Sequence, residues 1–225
     1  MKITYYGHAS LGIEVGAKHI IVDPFITGNP LANAIDINIL KADYILLTHA
    51  HYDHVLDVEE IAKNTDAVIV SNPEITTYYE KKGFKSHFMN HGGSWKFDFG
   101  TLRYVSAAHS SSFPDGTYGG NPGGFVIETK SKNIYIAGDT ALTYDMKLIP
   151  LRTKLDLAIL PIGNNFTMDV QDAIVASDFV ECNKIMGYHY DTNGHIEINH
   201  EESIGKFLDK GKELLLLEVG ESLEL

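Results

Sequence analysis

One six-residue segment of this chain concentrates four side chains that can bind a metal ion: His49, His51, Asp53 and His54. The segment follows directly on the apolar run 44–48. If the extended geometry persists beyond that run, alternation places His49 and His51 on one side. The turn that follows can then aim Asp53 and His54 at a neighbouring point. Because zinc and related transition metals accept imidazole and carboxylate ligands, the segment predicts a metal site with room for two ions.

A segment of six residues cannot complete two coordination spheres, so further ligands are expected elsewhere in the chain. Three candidates each follow a strand-like apolar run: His109, Asp139 and His189. The carboxyl ends of strands are where α/β folds place their sites. The single cysteine, Cys182, matches no metal motif. The expected ligands are therefore nitrogen and oxygen atoms, in an arrangement that leaves one position open for water.

The elements that must position these residues follow an order that occurs twice along the chain. Short antiparallel strands come first, and apolar strands separated by helices follow them. The predicted strands lie at 3–6, 11–15, 19–22, 44–48, 67–70, 95–99, 102–107, 125–128, 133–136, 155–160, 185–188 and 214–219. The predicted helices lie at 57–65, 73–83 and 142–149, and after the caps Asp169 and Asn199. Two such halves predict an α/β (α+β) fold in which helices cover two packed sheets, a four-layered αβ/βα sandwich.

Length and charge limit the class of protein. A chain of 225 residues suffices for one large domain, and no linker divides it, so residues 1–225 are expected to form a single domain. The formal charge of −12 reflects 30 acidic and 18 basic residues, and only Arg103 and Arg152 are arginines. This balance argues against nucleic acid as a partner. The chain has neither a signal peptide nor a continuous apolar span, so a cytoplasmic protein without membrane contact is expected.

The ordered set of motifs resembles the metallo-β-lactamase superfamily of binuclear hydrolases over the whole chain. The segment His49–His54 has the family pattern HxHxDH, and the three later candidates follow in the family's order. Asp23-Pro24, after an early strand, matches the first acidic motif of the family. Four segments look most like a branch of metal-dependent hydrolases related to L-ascorbate-6-phosphate lactonase: Gly7-His8-Ala9-Ser10, Asp23-Pro24-Phe25, Phe166-Thr167-Met168 and His189-Tyr190. The resemblance implies the metallo-β-lactamase fold.

The resemblance also implies the roles of individual residues. It assigns His49, His51 and His109 to a first metal, Asp53, His54 and His189 to a second, and Asp139 to the bridge between them. A water molecule between the metals is the expected nucleophile, and Asp53 is expected to orient the resulting metal-bound hydroxide and to pass its proton to the leaving group. By ligand type the two divalent ions are expected to be zinc, with manganese, iron or nickel as alternatives. Asp23 is expected to hold the ligand loop through hydrogen bonds, or else to be a turn carboxylate before Pro24.

Three further polar residues are candidates for the pocket. His8 follows a glycine at the end of the first strand, in a family-like segment, so we expect it to line the pocket. Asn165 can donate a hydrogen bond to a substrate carbonyl only if it faces the metals. His195 either protonates a leaving group or simply lies near a helix start, and the second interpretation is favoured. The pattern at 191–194 departs from the family, so no family role is transferred to that loop.

These observations predict a metal-dependent hydrolase that cleaves an ester, lactone or related bond of a small molecule. With two arginines the chain offers few bidentate anion clamps, which favours neutral or weakly anionic substrates. A metal-dependent phosphodiesterase or nuclease and a noncatalytic metal-binding protein stay open as alternatives. A flavodiiron-like oxidoreductase is disfavoured, since residue 51 is a histidine and the chain ends after one domain. Association into a homo-oligomer is left open.

Overall fold

The strands of the protein form two seven-stranded sheets in a computed structural model that describes residues Met1 to Leu225. The first sheet contains β1 (Lys2–Gly7), β2 (Ser10–Val15), β3 (Lys18–Val22), β4 (Tyr44–Leu46), β5 (Val68–Ser71), β6 (Ser86–Phe88) and β14 (Ser222–Glu224). The second contains β7 (Ser94–Phe97), β8 (Gly100–Ser106), β9 (Gly123–Glu128), β10 (Asn133–Ile136), β11 (Leu157–Pro161), β12 (Lys184–Tyr188) and β13 (Glu213–Leu215).

Both sheets have the same internal organisation. In the first sheet, β1 to β3 pair antiparallel and β3 to β6 pair parallel. In the second, β7 to β10 pair antiparallel and β10 to β13 pair parallel. The last strand, β14, returns to the first sheet beside β1. The structure thus has the repeated order that the sequence predicts. It adds β6 and β14, and it limits the last apolar run to a strand over Glu213–Leu215.

Helices connect the parallel strands. The α-helices are α1 (Tyr52–Val55), α2 (Val58–Thr65), α3 (Pro73–Glu80), α4 (Val170–Phe179) and α5 (His200–Leu208), and short 3₁₀ helices lie at Pro30–Ala32, Ile37–Ile39 and Tyr144–Leu148. Side chains of Asn72, Asp169 and Asn199 accept hydrogen bonds from backbone N–H groups at the starts of α3, α4 and α5. No helix combines the length and hydropathy that crossing a membrane requires.

The helix predicted at 142–149 was wrong in type and extent, because only the 3₁₀ helix Tyr144–Leu148 forms there. Thr143, at its start, makes no capping hydrogen bond with its side chain. Pro150 follows the C-cap Ile149 directly, and its ring nitrogen cannot donate the backbone hydrogen bond that would continue a helix. The segment therefore lacks both an N-terminal cap and room to extend.

Apolar side chains fill three layers. One cluster lies between the two sheets, a second packs α4 and α5 against the outer face of the second sheet, and a third packs α2 and α3 against the outer face of the first. Strand β8 shows the alternation that produces these layers: Leu102 and Tyr104 enter the layer between the sheets, whereas Val105 packs against the outer layer. The predicted αβ/βα sandwich is confirmed.

The strands that precede the predicted ligands all end at the same end of the sandwich. Pairing makes β1, β3 and β4 run in one direction, and likewise β8, β10 and β12. Directly after β1, β3 and β12, a residue other than glycine adopts positive φ: His8 (54°), Asp23 (44°) and His189 (56°). Such geometry costs about 1–3 kcal/mol per residue and persists only where the surroundings enforce it. Gly138 (φ 69°) provides the same kind of turn before Asp139 without strain.

Candidate metal centre

Three histidine rings form a first group of candidate ligands. His49 and His51 follow β4 and His109 follows β8, so the group joins both sheets. One ligand atom from each residue lies within 4.8 Å of the others, and His49 Nε2 is 3.0 Å from His51 Nδ1. Burial, together with the neighbouring His54, lowers the pKa of His49 well below its usual value. Neutral imidazole is the form that binds a metal, so the ring is in a state that suits a cation.

A second group consists of Asp53, His54 and His189, with His8 beside them. Their ligand atoms also lie within 4.8 Å of one another. Asp53 and His54 are carried by the single turn of α1, which starts directly after His51, and His189 follows β12. The two histidine ligands are buried, whereas the Asp53 side chain is 38% exposed. The second group therefore also joins the two sheets, and it reaches solvent through Asp53.

Asp139 lies between the two groups. Its Oδ2 is 3.5 Å from His109 Nε2 and 4.0 Å from His49 Nε2, both in the first group. The same oxygen is 3.0 Å from His189 Nε2, and Oδ1 is 3.4 Å from His54 Nε2, both in the second group. Burial opposes ionisation of this carboxyl, but the surrounding histidines hold its pKa well below the usual range. A buried negative charge thus faces four imidazole nitrogens.

Several buried atoms of this cluster have no hydrogen-bond partner: His54 Nε2, both ring nitrogens of His189 and Asp139 Oδ1. The 3.0 Å contact between His189 and Asp139 lacks hydrogen-bond geometry. A buried polar atom left unpaired costs about 1–3 kcal/mol, and native proteins leave few of them. A divalent cation would satisfy lone pairs from all three residues. Since imidazole nitrogen and carboxylate oxygen are also ligands that zinc and related ions accept, the residues present fit a metal.

The buried carboxylate of Asp23 orients one ligand ring in each group. Asp23 Oδ2 accepts hydrogen bonds from His54 Nδ1 at 2.9 Å and from Thr48 Oγ1 at 2.6 Å, and Oδ1 accepts one from Thr48 N at 2.8 Å. Because the Thr48 hydroxyl donates to Asp23, its 3.0 Å contact with His49 Nδ1 requires the ring to donate. Protons on both Nδ1 atoms leave Nε2 of His49 and of His54 free to bind a cation.

The charges at this end favour a cation. Burial opposes protonation of His54, yet the carboxylates of Asp139 and Asp23 raise its pKa well above the usual value. Burial also raises the pKa of Asp23, against the opposing effect of His54 and Thr48. A proton on His54 and a metal ion would compensate the same negative charge. Metal binding is therefore expected to displace that proton.

His8 contacts two residues of the second group. Burial and the neighbouring His189 lower the pKa of His8 to about 4, so its ring carries one proton at neutral pH. Its Nε2 is 2.9 Å from Asp53 Oδ2 and its Nδ1 is 2.8 Å from Thr192 Oγ1. Because an ionised carboxylate can only accept, Nε2 donates to Asp53 and Nδ1 accepts from the threonine. The backbone carbonyl of His8 accepts from His189 N at 2.7 Å, which holds the second ligand as well.

Asp53 is ionised in this environment. Burial raises the pKa of its carboxyl, but the hydrogen bond from His8 and the charge of His54 outweigh that effect and leave the pKa below its usual value. An ionised, partly exposed carboxylate at the edge of a metal site can bind a cation or accept a proton.

Two predicted pocket residues stay outside this cluster. Asn165 lies in an exposed turn after β11, and His195 is exposed on the loop after β12, with its ring 6.4 Å from that of Phe166. Sequence reasoning missed Thr48 and Thr192. The position of Thr48, between a buried strand and the first ligand, was a usable signal. Thr192 offered none, because its contact with His8 joins residues 184 positions apart.

Comparisons with known proteins give matches over most or all of this chain. Residues 6–181 match the family model described as metallo-beta-lactamase superfamily. The chain is 84% identical to a UPF0173 metal-dependent hydrolase of Flavobacterium johnsoniae over 100% of both chains. It is similar to the structure of Igni18, a metallo hydrolase from the archaeon Ignicoccus hospitalis, at 34% identity and a TM-score of 0.90, over 100% of this chain and 98% of that one. An isothiocyanate hydrolase from Delia radicum gut bacteria shares the fold, with 20% identity and a TM-score of 0.80 over 100% of this chain and 99% of that one.

The contacts of Asp23 lead to a first prediction. Asp23→Asn should weaken zinc binding by about 10- to 100-fold, as changes to groups that orient metal ligands generally do, because it removes the charge that holds the His54 Nδ1 proton directly and the His49 Nδ1 proton through Thr48. Competition against a chromophoric chelator measures the affinity. Asp209→Asn, an exposed position next to α5, is the matched control and should bind zinc as the parent does. Unchanged affinity in Asp23→Asn would show that the rings are oriented by other contacts.

Proposed function

This chain is a metal-dependent hydrolase and belongs to the metallo-β-lactamase superfamily, and we propose that it uses a binuclear metal centre to cleave an ester, lactone or related bond of a small uncharged molecule. The observation that carries the proposal is the position of Asp139, whose carboxylate is within 3.0–4.0 Å of two histidines from each ligand group. The activity is assigned to a single domain of residues 1–225.

The proposed ligands follow the two groups. They are His49, His51 and His109 for one ion, Asp53, His54 and His189 for the other, and Asp139 as the bridge. Zinc is proposed first from the donor types, with manganese, iron or nickel as alternatives. When bound, such a pair lowers the pKa of a water molecule and polarises the bond under attack.

Asp53 is the proposed proton acceptor. Its side chain is partly exposed, and its Oδ2 is 3.9 Å from His189 Nε2, so it lies where ligand and solvent meet. An ionised carboxylate at that position can take the proton of the attacking water and deliver it to the leaving group. The histidines, by contrast, are assigned only to binding.

The surroundings of the centre favour a substrate without negative charge. The segments that follow the strands at this end cover 23–40, 47–57, 107–122, 137–143, 162–169 and 189–199, and none contains lysine or arginine. A phosphate or polyanion would find no side-chain cation to pair with. Aromatic groups lie there instead: Tyr52 and Phe166 are each 52% exposed, and the ring of Tyr52 is 5.8 Å from that of Phe25. A small, partly apolar ester or lactone suits these walls best.

His8 is the proposed positioning residue for Asp53. Its Nε2 proton holds one carboxylate oxygen, and Thr192 holds the opposite ring nitrogen, so the imidazole has a single tautomer and a single orientation. A carboxylate that must transfer a proton needs its orientation held to within a few tenths of an ångström. His8 does this from a buried site without binding substrate itself.

Replacement of single ligands tests the two-ion proposal. His49→Ala or His109→Ala should chiefly empty the first site, His54→Ala or His189→Ala the second, and Asp139→Ala should weaken both, because each loses a direct ligand. Elemental analysis after zinc reconstitution gives ions per chain. His87→Ala, on the remote edge strand β6, should keep the parental count. Full occupancy of both metal sites in all five ligand variants would refute the assignment. So would an unmodified protein that retains no transition metal after reconstitution.

The hydrolytic activity is tested by a screen of metal-loaded protein against lactones, carboxylic esters, thioesters, isothiocyanates, phosphodiesters and β-lactams. Uncharged esters or lactones should react fastest, and Asp53→Asn should lose about 10²- to 10⁴-fold in rate at full metal occupancy, the usual value of general acid–base catalysis. Glu197→Gln removes an exposed acid at the same end and should be unaffected. Parental turnover by Asp53→Asn would end its assigned role, and fast, salt-sensitive cleavage of RNA would overturn the substrate class.

Kinetic measurements on variants of His8 and Thr192 test the positioning role of His8. His8→Ala should lower kcat by about 10- to 100-fold with little change in KM, and Thr192→Val should lower it less, because the ring stays but its tautomer is released. His8→Gln, which restores an N–H donor, should recover part of the rate. Metal counts on each variant separate positioning from ligand loss. A His8→Ala protein with full metal and the parental kcat contradicts the assignment, as does a change in KM alone.

A further inference from the structure

A cavity of about 260 Å³ lies on the outer face of the second sheet, between β8 and the segment 145–152. This volume is just below the range of about 300–1,000 Å³ that is typical of ligand sites, so it suits a small metabolite. Both arginines of the chain, Arg103 and Arg152, line it, and none of the proposed metal ligands does. The cavity is therefore separate from the metal centre.

Arg103 is buried, with 6% of its surface exposed, and only part of its guanidinium is used. Its Nη2 donates to Glu128 Oε1 at 2.6 Å and to Thr153 Oγ1 at 2.8 Å. Its Nε is buried and has no partner. The charge of Arg103 is thus balanced by Glu128, while Nη1, which forms no hydrogen bond in the protein and is not one of the buried unpaired atoms, is the donor that the cavity can reach. Such a donor favours a ligand that brings an acceptor.

The opposite wall carries one free charge of each sign. Asp145, Leu148, Ile149 and Arg152 line it from the 3₁₀ helix Tyr144–Leu148 and the turn that follows. Both charged side chains are exposed, and neither forms an ion pair or a side-chain hydrogen bond with the rest of the protein. Leu148 and Ile149, with Val105 from β8, form the apolar part of the wall, and Gly92 and Ser106 complete the lining.

We propose that this cavity binds a small aliphatic α-amino acid. Its carboxylate accepts from Arg103 Nη1 and pairs with Arg152, its ammonium group pairs with Asp145, and its side chain packs on the apolar wall. A ligand with a single charge can pair with only one of the two exposed side chains, whereas a zwitterion pairs with both. The planar guanidinium groups suit a carboxylate in particular.

The probe for this site is L-valine, compared with isovalerate, which lacks the amine, and isobutylamine, which lacks the carboxylate. Metal-loaded protein with ¹³C-labelled methyl groups reports where each compound binds. L-Valine should shift the methyl signals of Val105, Leu148 and Ile149, and both analogues should bind at least about tenfold more weakly. This result is independent of whether the metal centre hydrolyses any substrate.

Two exposed variants complete the test without disturbing the buried pair of Arg103. Arg152→Met and Asp145→Asn should each weaken the binding of L-valine at least about tenfold. Lys154 is a nearby cation that does not line the cavity, so Lys154→Met should bind L-valine as the parent does. Isovalerate binding as tightly as L-valine would overturn the zwitterion assignment. Shifts confined to methyl groups at the metal end, such as Ile196, would overturn the site itself, as would no shift at all.

Discussion

The hydrogen bonds of the buried Asp23 carboxylate are the constraint on which the geometry of the site depends. A buried carboxylate is costly unless its lone pairs are satisfied, and here three donors from Thr48 and His54 satisfy them. Thr48 can donate only because β3 and β4 pair in one register, with Val22 opposite Leu46. A shift of that register would remove the donors and release the rings together. The register of β3 and β4 therefore determines the orientation of two candidate ligands, His49 and His54.

Neither sheet alone supplies a complete group of ligands. Each group takes side chains from both sheets, and the hydrogen bond from His189 N to the His8 carbonyl ties the two sheets at this end. The distance between the sheets is set by the apolar layer between them, because protein interiors are close-packed. Ligand spacing is thus an indirect result of core packing, and the strained turns at His8, Asp23 and His189 are tolerated because this framework enforces them.

Charge is distributed unevenly over the molecule. The chain has a formal charge of −12, and the segments around the metal centre contain acidic residues but no lysine or arginine. In the proposed mechanism, bound ions would therefore supply the main positive charge near a developing oxyanion. Asp53, positioned by His8, would accept and deliver the proton. The two arginines lie instead at the cavity outside the second sheet. The absence of lysine and arginine from these segments favours an uncharged substrate at the metal centre. The cavity outside the second sheet differs because both arginines line it.

The sequence by itself determined the order of the elements, the sandwich of two sheets, the family and the candidate ligands at strand ends. The elements, the sandwich and the candidate ligands follow from residue type and periodicity, which are local properties, and the family follows from the resemblance of the ordered motifs. Only the tertiary structure decided the distances of 3.0–4.0 Å from Asp139 to histidines of both groups, the contacts by which Thr48 and Thr192 set the tautomers of His49 and His8, and the completion of the first sheet by β6 and β14. Such features depend on contacts between residues far apart in the chain, as between His8 and Thr192. Distances of that kind are set by how the two sheets pack, and no local pattern encodes them.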